Sequence, residues 1–560
     1  MNYGKDGITK REQYQRTYAA LWDEKSSFDA TWRELADFVK PKRLRAYTSD
    51  RNKGDRRNQK IIDSTATFAL RTLQAGMHAG LTSPSRPWFQ LSTSDPDLAK
   101  FKPVKQWLHD VTQLMLSRLL KSNIYTALPT LYADQGLFAT AAMALMEDSR
   151  ELFRCYPYPI GTYAIGLSRR STVDTFIREY QMSVRQLADE FGLENLSITA
   201  KNLYDRGNYE AQVDVCWIVA PNPEHDPERL AAKYKPWASC HFEKGAASDT
   251  FLRESGFDEF PIIAPRWEAT PEDVWGTESP GMNAIGDIKG LQTMTKRKAQ
   301  AVEKMINPPL QAPSHLQNQV ISLLPGGVTF ADQTQANNGI RPIHDIVMSI
   351  EDVRVDINDM RYLIQTAFYQ PLFLMMATAD ATGANPQKTA REIEERHEEK
   401  LLALGPVVER NNDELHEPTI DRVYAMMDRA GEIPPAPPDL EGAELKVEYL
   451  SIMSQAQKLV GVTGLRNFLR DAAPLVEIFP ETRYKIKPFR ILDELGDAYG
   501  INPEILESDD VAEGQLQQAQ QAAAEQRQVE MAAQAAKAGR DLGSTPMNED
   551  TALTRVLQGA

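Results

Sequence analysis

The stretch SPGMNAIGDIKGLQTMTKRKAQAVEKMI, residues 279–306, predicts one long helix around which the rest of the chain is organised. Its apolar residues recur at spacings of three and four and cover one broad side: Ile285, Ile288, Leu291, Met294, Val302, Met305 and Ile306. Four basic residues fall within an arc of roughly 100° on the other side: Lys289, Lys296, Arg297 and Lys304. A helix from Met282 to Ile306 would be about 37 Å long.

A second helix is predicted from Ile350 to Phe368, after an excursion rich in Pro and Gly that runs from Asn307 to about Pro342. Its apolar residues form a narrow seam for packing against another helix: Ile350, Val353, Ile357, Met360, Ile364 and Phe368. Two helices joined in this way predict a rod with a further structure at its tip. The outer positions Glu351, Asp352 and Asp359 also fit an ordinary helical hairpin with solvated charges.

Small residues dominate the segment after the second helix, from Met375 to Asn385. A loop of this length in a compact domain is either functional or disordered. A long charged helix is then predicted from Pro386 to about Arg429. It should kink or break at Pro406 and Pro418, because proline lacks the backbone donor that a helix interior needs.

The C-terminal part begins with the stiff linker Pro434–Pro438. Residues 443–499 are predicted to be helical. The segment Gln515–Ala538 consists mostly of Gln and Ala, so its helix propensity is high but its apolar stripe is thin. It is therefore predicted to be either a loosely ordered tail or a helix packed against copies of itself.

The N-terminal part combines helices with short strands. Helices are predicted at Arg11–Val39, Ile61–Leu81, Val104–Ser122 and Tyr125–Met146. From Phe153 to Trp267, β-branched and aromatic runs separated by Pro, Gly and Asn predict antiparallel strands, interrupted by a helix that Ser183 caps. The fold class predicted is α+β.

Nine Lys or Arg between residues 40 and 60 predict an exposed loop, either solvated or in contact with phosphates or an acidic partner.

Length and composition limit the function further. A chain of 560 residues is too long for one core and predicts about three or four domains. Its net charge of −15 argues against a protein that coats nucleic acid, although an acidic lining would let DNA slide past without holding it.

No apolar run is long enough for a membrane span, and the first twelve residues lack a signal-peptide core, so we expect the protein to stay where cytosolic proteins are made. Cys155, Cys216 and Cys240 are predicted to be buried thiols of a reducing compartment.

Motifs of catalysis are missing from the sequence. It contains no G-x-x-x-x-G-K-[ST] loop, no H-E-x-x-H and no G-x-S-x-G, so we expect no enzyme, no cofactor and no metal site. Carboxylates of a nuclease have no fixed spacing. A DNA-processing subunit therefore stays open as an alternative, which metal-dependent hydrolysis of plasmid DNA would support.

Several segments, in order along the chain, resemble the portal, or head-to-tail connector, proteins of short-tailed bacteriophages. The residues that carry this resemblance are Ile61-Ile62-Asp63-Ser64-Thr65-Ala66, Gly80-Leu81-Thr82-Ser83-Pro84, Arg86-Pro87-Trp88-Phe89, Trp275-Gly276, Ser279-Pro280-Gly281-Met282, Asp287-Ile288-Lys289, Asn307-Pro308-Pro309-Leu310, Thr389-Ala390-Arg391-Glu392-Ile393 and Arg396. The match in order and spacing extends over most of residues 10–430.

The resemblance implies a portal-type fold and a ring, usually of twelve copies, at one vertex of the capsid. Double-stranded DNA would be packaged through the ring by a separate terminase and later ejected. Further partners would be the major capsid and scaffolding proteins and a tail adaptor, with assembly in the host cytoplasm and no membrane. The implied domains are a wing at 1–270, a first stem helix at 271–306, a clip at 307–347, a second stem helix at 348–371, a tunnel loop at 372–385, a long kinked wing helix at 386–431 and a crown at 432–560.

Two groups of site residues follow from the resemblance. The DNA channel is expected to include Lys289, Lys296, Thr378, Asp380, Thr382 and Lys388. Docking of the terminase or tail adaptor is expected at Gln317, Asn318, Asp332 and Gln333. Another virion structural protein, such as a tail adaptor or an ejected internal protein, is the main alternative.

Overall fold

The computed structural model describes residues 9–44, 58–95, 98, 101–246, 250–311, 341–342, 350–379, 404–440, 442, 445–450, 465, 468–475, 479, 487–499 and 509–543. The chain folds as two compact units. The first contains Met1–Phe89, Thr112–Pro434 and Tyr449–Gln457, and the second contains Gln90–Val111, Pro435–Glu448 and Lys458–Ala560. Helices and antiparallel sheets occur together, as expected for an α+β protein.

Most helices belong to the first unit. In chain order they are α1 (Lys10–Ser26), α2 (Asp29–Val39), α3 (Thr65–Leu81), the part of α4 (Lys102–Lys121) from Thr112 onward, α5 (Ile124–Phe138), α6 (Val184–Phe191), α7 (Ile198–Asp205), α8 (Pro280–Ile306), α9 (Ile350–Ala367), α10 (Gln370–Ala379), α11 (Gly405–Asn411) and α12 (Glu417–Arg429).

The strands, numbered in chain order, are β1 (Phe89–Thr93), β2 (Ala142–Asp148), β3 (Leu152–Tyr158), β4 (Tyr163–Leu167), β5 (Val173–Ser183), β6 (Gln212–Pro221), β7 (Trp237–Glu243), β8 (Arg253–Phe257), β9 (Ile262–Ile263), β10 (Leu310–Gln311), β11 (Arg341–Pro342) and β12 (Leu445–Tyr449). In the first unit, β4 to β8 form a five-stranded antiparallel meander, and β3, β2 and β9 form a second antiparallel sheet. The antiparallel arrangement predicted from the sequence is confirmed.

The five-stranded sheet buries side chains on both faces because successive residues of a strand point to opposite sides. On one face, Cys216 of β6 packs in a cluster with Tyr14 of α1. On the other face, the neighbouring Val215 packs with Leu187 and Phe191 of α6. Helix α6 begins with the predicted cap, since the Ser183 hydroxyl accepts a hydrogen bond from the backbone N–H of Gln186 at 3.3 Å.

The helix predicted at Arg11–Val39 is two helices, α1 and α2. The hydroxyls of Ser26 and Ser27 donate to the carbonyls of Asp23 and Glu24, each at 2.7 Å. Serine side chains that bond to the nearby backbone compete with the helical ladder, which explains why the helix ends there.

The helix predicted at Tyr125–Met146 ends at Phe138, where Ala139 takes a left-handed conformation with φ of 63°. The following residues form β2, in which Ala144 faces Tyr156 of β3. Ala and Met are strong helix formers, but differences in propensity are small, and the cross-strand pairing in a buried sheet outweighs that preference here.

The three cysteines are buried free thiols, as predicted. Burial raises the pKa of Cys155, Cys216 and Cys240 to about 12 each. Within the described ranges, every helix is too short or too polar to span a lipid bilayer. The described side chains hold no group of three or more His, Cys, Asp or Glu residues suited to a metal ion.

The predicted interruption at Pro418 takes the form of a π-helical turn, Asn412–His416, between α11 and α12. Pro406 and Pro418 both lie in the first turn of their helices, where a missing N–H costs little. His416 in this turn is buried and lies 3.1 Å from the Tyr132 hydroxyl and 2.9 Å from the Asn412 side-chain oxygen. Burial lowers the pKa of His416 to about 3.

The second unit contains a two-stranded sheet of β1 and β12, in which the Gln90 amide donates to the Glu448 carboxylate at 3.0 Å. Residues 445–449 were predicted to be helical and are a strand, because their apolar and charged residues alternate with a period of two. The helices α13 (Pro488–Tyr499) and α14 (Asp509–Gly543) follow. The Gln- and Ala-rich segment therefore lies within one helix of 35 residues, and nearly all its described side chains are exposed.

Candidate functional site

Helix α8 begins where the resemblance places its entry motif. The Ser279 hydroxyl accepts from the backbone N–H of Met282 at 3.2 Å and donates to the Leu137 carbonyl at 3.1 Å. Pro280 follows in the first turn, where its fixed φ suits a helix start. The motif therefore caps α8 and fastens it to the end of α5 at the same time.

Two glycines let the backbone approach closely at this point. A Cβ on Gly281 would lie 2.6 Å from the Leu137 carbonyl oxygen, and one on Gly276 would lie 2.2 Å from the Ala139 carbonyl oxygen. The neighbouring Trp275 is buried against Trp32 of α2, with ring centroids 4.9 Å apart. These contacts fix the N-terminal end of α8 in the core of the first unit.

Helices α8 and α9 pack against each other within one chain, as their predicted apolar sides require. The buried residues are Ile288 and Leu291 of α8, Ile357 and Ile364 of α9, and Phe368 directly after α9. The approach is close, because a Cβ on Gly290 would lie 2.8 Å from the Met360 methyl group. Burial declines along α8, and Met305 and Ile306 at its C-terminal end are exposed.

The segment Ile61–Ala66 binds both helices of the pair. On α8, the buried Gln292 accepts through its side-chain oxygen from the backbone N–H groups of Ile62 and Asp63, both at 2.7 Å. Its amide group also donates to the Asp63 carbonyl at 2.8 Å. One side chain of α8 thus satisfies three backbone groups of the segment.

Asp63 connects the same segment to α9. Its carboxylate accepts from the Arg361 guanidinium at 2.7 and 3.0 Å and from the Thr65 hydroxyl and backbone N–H at 2.5 and 2.9 Å. Burial favours the protonated acid, but the hydrogen bonds from Thr65 and Arg361 outweigh it and lower the pKa of Asp63. Asp63 is therefore a carboxylate at neutral pH, and it holds α9 beside α3.

The basic side of α8 faces away from this junction. Lys289 forms an ion pair with Glu34 of α2 at 2.5 Å, and both side chains are partly exposed. Lys296, Arg297 and Lys304 are exposed. On α9, Glu351 pairs with Arg354 of its own helix. The partner of Lys289 is thus an N-terminal helix rather than the acidic positions of α9.

The excursion at the tip of the pair is closed at its base by two short strands. Leu310 of β10 faces Pro342 of β11, and Gln311 faces Arg341, in antiparallel register. The docking residues expected in this excursion lie outside the described residues: Gln317, Asn318, Asp332 and Gln333.

The loop predicted at 372–385 is helical over its first part, because α10 continues to Ala379. Leu, Met and Ala are strong helix formers, and the buried Phe373 packs so close to Gly76 of α3 that a Cβ there would lie 2.1 Å away. Thr378 therefore belongs to a helix. Asp380, Thr382 and Lys388 lie outside the described residues.

Sequence reasoning missed the roles of Asp63, Gln292 and Arg361. A signal was present, since at 100° per residue Gln292 falls on the apolar side of α8 and Arg361 lies at the edge of the apolar seam of α9. Polar residues on such faces need buried partners. The sequence alone does not show which segment supplies these partners.

Comparison with known proteins gives the family. The family of bacteriophage head to tail connecting proteins matches residues 11–506. The chain is 42% identical over 553 residues to the portal protein of Salmonella phage epsilon15, with 99% of each chain covered. It is 39% identical over 551 residues to the probable portal protein of Bordetella phage BPP-1, with 98% of each covered.

Among solved structures, a chain from the virion of the native gene transfer agent particle aligns with a TM-score of 0.30 and 11% identity. The alignment covers 73% of this chain and 86% of that one, and the similarity is too low to carry an argument. The sequence relatives, in contrast, extend over nearly the whole chain. This protein therefore belongs to the family of bacteriophage head to tail connecting proteins.

Proposed function

We propose that the chain is the subunit of a portal ring, set at one capsid vertex, through which double-stranded DNA enters and leaves the head. The observation that carries this proposal is the 42% identity to the portal protein of Salmonella phage epsilon15 over 99% of both chains. Identity at this level over the full length supports the same fold and the same role. The role is structural, with packaging performed by a separate terminase, and the tail is anchored by the same ring.

In this proposal, α8 and α9 are the stem and the excursion between them is the clip, where the terminase and later the tail adaptor dock. Gln317, Asn318, Asp332 and Gln333 are the proposed docking residues. Support comes from the pair of strands β10 and β11, which separates the excursion from the helices. The exposed Met305 and Ile306 at the end of α8 supply apolar surface beside it.

We assign residues 1–270 and 386–431 to the wing, 372–385 to a tunnel segment and 432–560 to the crown. The tunnel segment begins as a helix and carries Thr378, Asp380, Thr382 and Lys388 as proposed channel residues. The exposed helix α14 supports a crown in which copies of this helix surround the axis, since a helix with so few buried side chains needs neighbours for stability.

Electron microscopy and mass measurement of the purified chain test the ring. We expect a closed ring with a central channel and, for the usual twelve copies, twelve times the 63.0 kDa mass of one chain. The mass should not depend on protein concentration over the micromolar range, because a closed ring has no free interfaces. Single chains or open filaments under all conditions would contradict the proposal.

Lys289 and Lys296 are the proposed contacts of α8 with DNA in the channel. Isolated positive charges in an acidic chain would touch phosphates briefly without trapping the duplex. The pair of Lys289 with Glu34 is partly exposed, and pairs of this kind contribute at most about 1 kcal/mol.

We therefore expect the double variant Lys289→Gln/Lys296→Gln to form rings in normal yield and to change the rate of DNA packaging, more at low salt. Lys233 is exposed and lies outside the helical pair, so Lys233→Gln is the matched control. It should change neither the yield of rings nor the rate of DNA packaging. A double variant that separates into single chains would mean that these lysines join subunits, and it would contradict the channel role.

A further inference from the structure

A cleft of about 370 Å³ opens beside the Asp63–Arg361 pair. Its walls include Ile62, Phe68 and Gln370. Ile62 is 48% exposed and Phe68 is 55% exposed, which is unusual for large apolar side chains that line a concave surface. Six of the eight described lining residues are polar, so Ile62 and Phe68 form an apolar strip beside polar groups, a mixture that is found in docking surfaces.

The cleft also contains a buried polar atom that has no partner in the part of the chain that the structure describes. The side-chain oxygen of Gln370 is buried and has no hydrogen-bond donor among the described residues. Buried acceptors are nearly always satisfied in proteins, so a donor beyond the described residues is expected here, and a neighbouring copy can supply one. At the rim, the exposed Arg71 guanidinium lies 5.5 Å from the centre of the Phe68 ring and adds positive charge.

A ridge with complementary chemistry lies on another face of α9. Val355 is 50% exposed and Tyr362 is 62% exposed, and Asp359 between them is exposed as well. At 100° per residue, these three lie within about 60° of each other and about 100° from the side of α9 that carries Arg361 and Gln365 into the cleft. The ridge therefore offers two apolar side chains, one carboxylate and one hydroxyl donor.

We propose that the α9 ridge of one copy docks into the cleft of the neighbouring copy. This inference rests on the proposed function, because a ring needs two different surfaces that complement each other on each subunit. Val355 and Tyr362 would cover Ile62 and Phe68, as an amphipathic helix covers an apolar groove.

The polar groups of the two surfaces match in the same arrangement. The Tyr362 hydroxyl supplies a donor for the unpaired oxygen of Gln370. Asp359 supplies a negative charge for Arg71, and such complementarity sets which surfaces meet. The occupant of the cleft is thus a second copy of this chain, bound head to tail.

The test uses full-length variants in which one surface is disabled at exposed positions, so that the fold of the single chain is retained. The cleft variant is Ile62→Asp/Phe68→Asp, and the ridge variant is Val355→Asp/Tyr362→Asp. Neither should form rings alone. When mixed, they should form a species of two chains, because one intact cleft can still bind one intact ridge but neither copy can continue the ring.

Matched controls separate charge effects from general damage. Leu230→Asp changes a fully exposed leucine that belongs to neither surface and should leave rings intact. Arg71→Asp and Asp359→Arg should each lower the ring fraction at least tenfold at dilute concentration, and the double exchange should restore it. Mass photometry measures all of these species, and circular dichroism confirms that each variant is folded.

Rings of normal yield from both disabled variants would overturn the ridge-and-cleft interface and leave the proposed function standing. Loss of rings without a two-chain species on mixing, or without rescue by the double exchange, would also overturn it. Wild-type protein that forms no ring would overturn the proposed function itself.

Discussion

The three hydrogen bonds of Gln292 give a local stability that can be measured directly. In the variant Gln292→Met, a side chain of similar volume keeps the packing of α8 but loses all three bonds to the segment Ile61–Ala66. Two backbone N–H groups and one carbonyl then lose their partners at a position where Asp63 is 8% exposed. At about 1 kcal/mol for each group, the free energy needed to open this segment locally should fall by about 3 kcal/mol.

Hydrogen exchange read by mass spectrometry is the suitable assay, because two compact units make a single unfolding free energy hard to define. Since 1.4 kcal/mol is a factor of ten, the amides of Ile62 and Asp63 should exchange about a hundredfold faster in the variant. Peptides from the five-stranded sheet should be unchanged.

Gln300→Met is the matched control, because Gln300 is an exposed glutamine on the same helix. Its exchange at residues 62 and 63 should equal that of the wild type. Equal exchange in Gln292→Met and Gln300→Met would refute the reasoning, since the segment would then be held without these bonds.

Two further predictions concern acid and backbone packing. His416 and His241 both have pKa values lowered to about 3 by burial, against about 6.5 when unfolded, so the unfolded chain binds more protons between these values. The free energy of unfolding should therefore fall as the pH drops from about 6.5 towards 3. Thermal unfolding measures this as a falling Tm, and a Tm that rises over the same range would contradict the prediction. Gly281→Ala should lower the free energy of unfolding by about 1–3 kcal/mol, because the added Cβ would meet the Leu137 carbonyl. Gly286 has open space around it, so Gly286→Ala should stabilise α8 by about 0.5–1 kcal/mol. A comparable loss of Tm in both variants would be inconsistent with the close contact at Gly281.

The sequence predicted elements best where one physical signal dominated. The antiparallel strands predicted between Phe153 and Trp267 are found as β4 to β9, because short aromatic and β-branched runs separated by Pro, Gly and Asn favour strands. The start of α8 at Pro280 was also predicted, and the structure adds that the Ser279 hydroxyl caps this helix.

Predictions were wrong where local preference and tertiary contacts disagree. Residues 142–146 look helical by propensity, yet they pair with β3 in the core. The segment 375–379 was predicted as a loop because it lacks bulky residues, but α10 continues through it after Phe373 packs on α3. Propensity differences of less than about 1 kcal/mol per residue are readily outweighed by burial.

By itself the sequence determined the helical pair, the basic side of α8 and the resemblance to a phage family, because periodicity and motif order are local properties of the chain. Only the tertiary structure decided what binds the pair to the rest of the first unit. Asp63 lies more than 200 residues from Gln292 and almost 300 from Arg361. Their contact follows from the packing of α3, α8 and α9, and no local pattern encodes which distant polar groups will satisfy each other once they are buried.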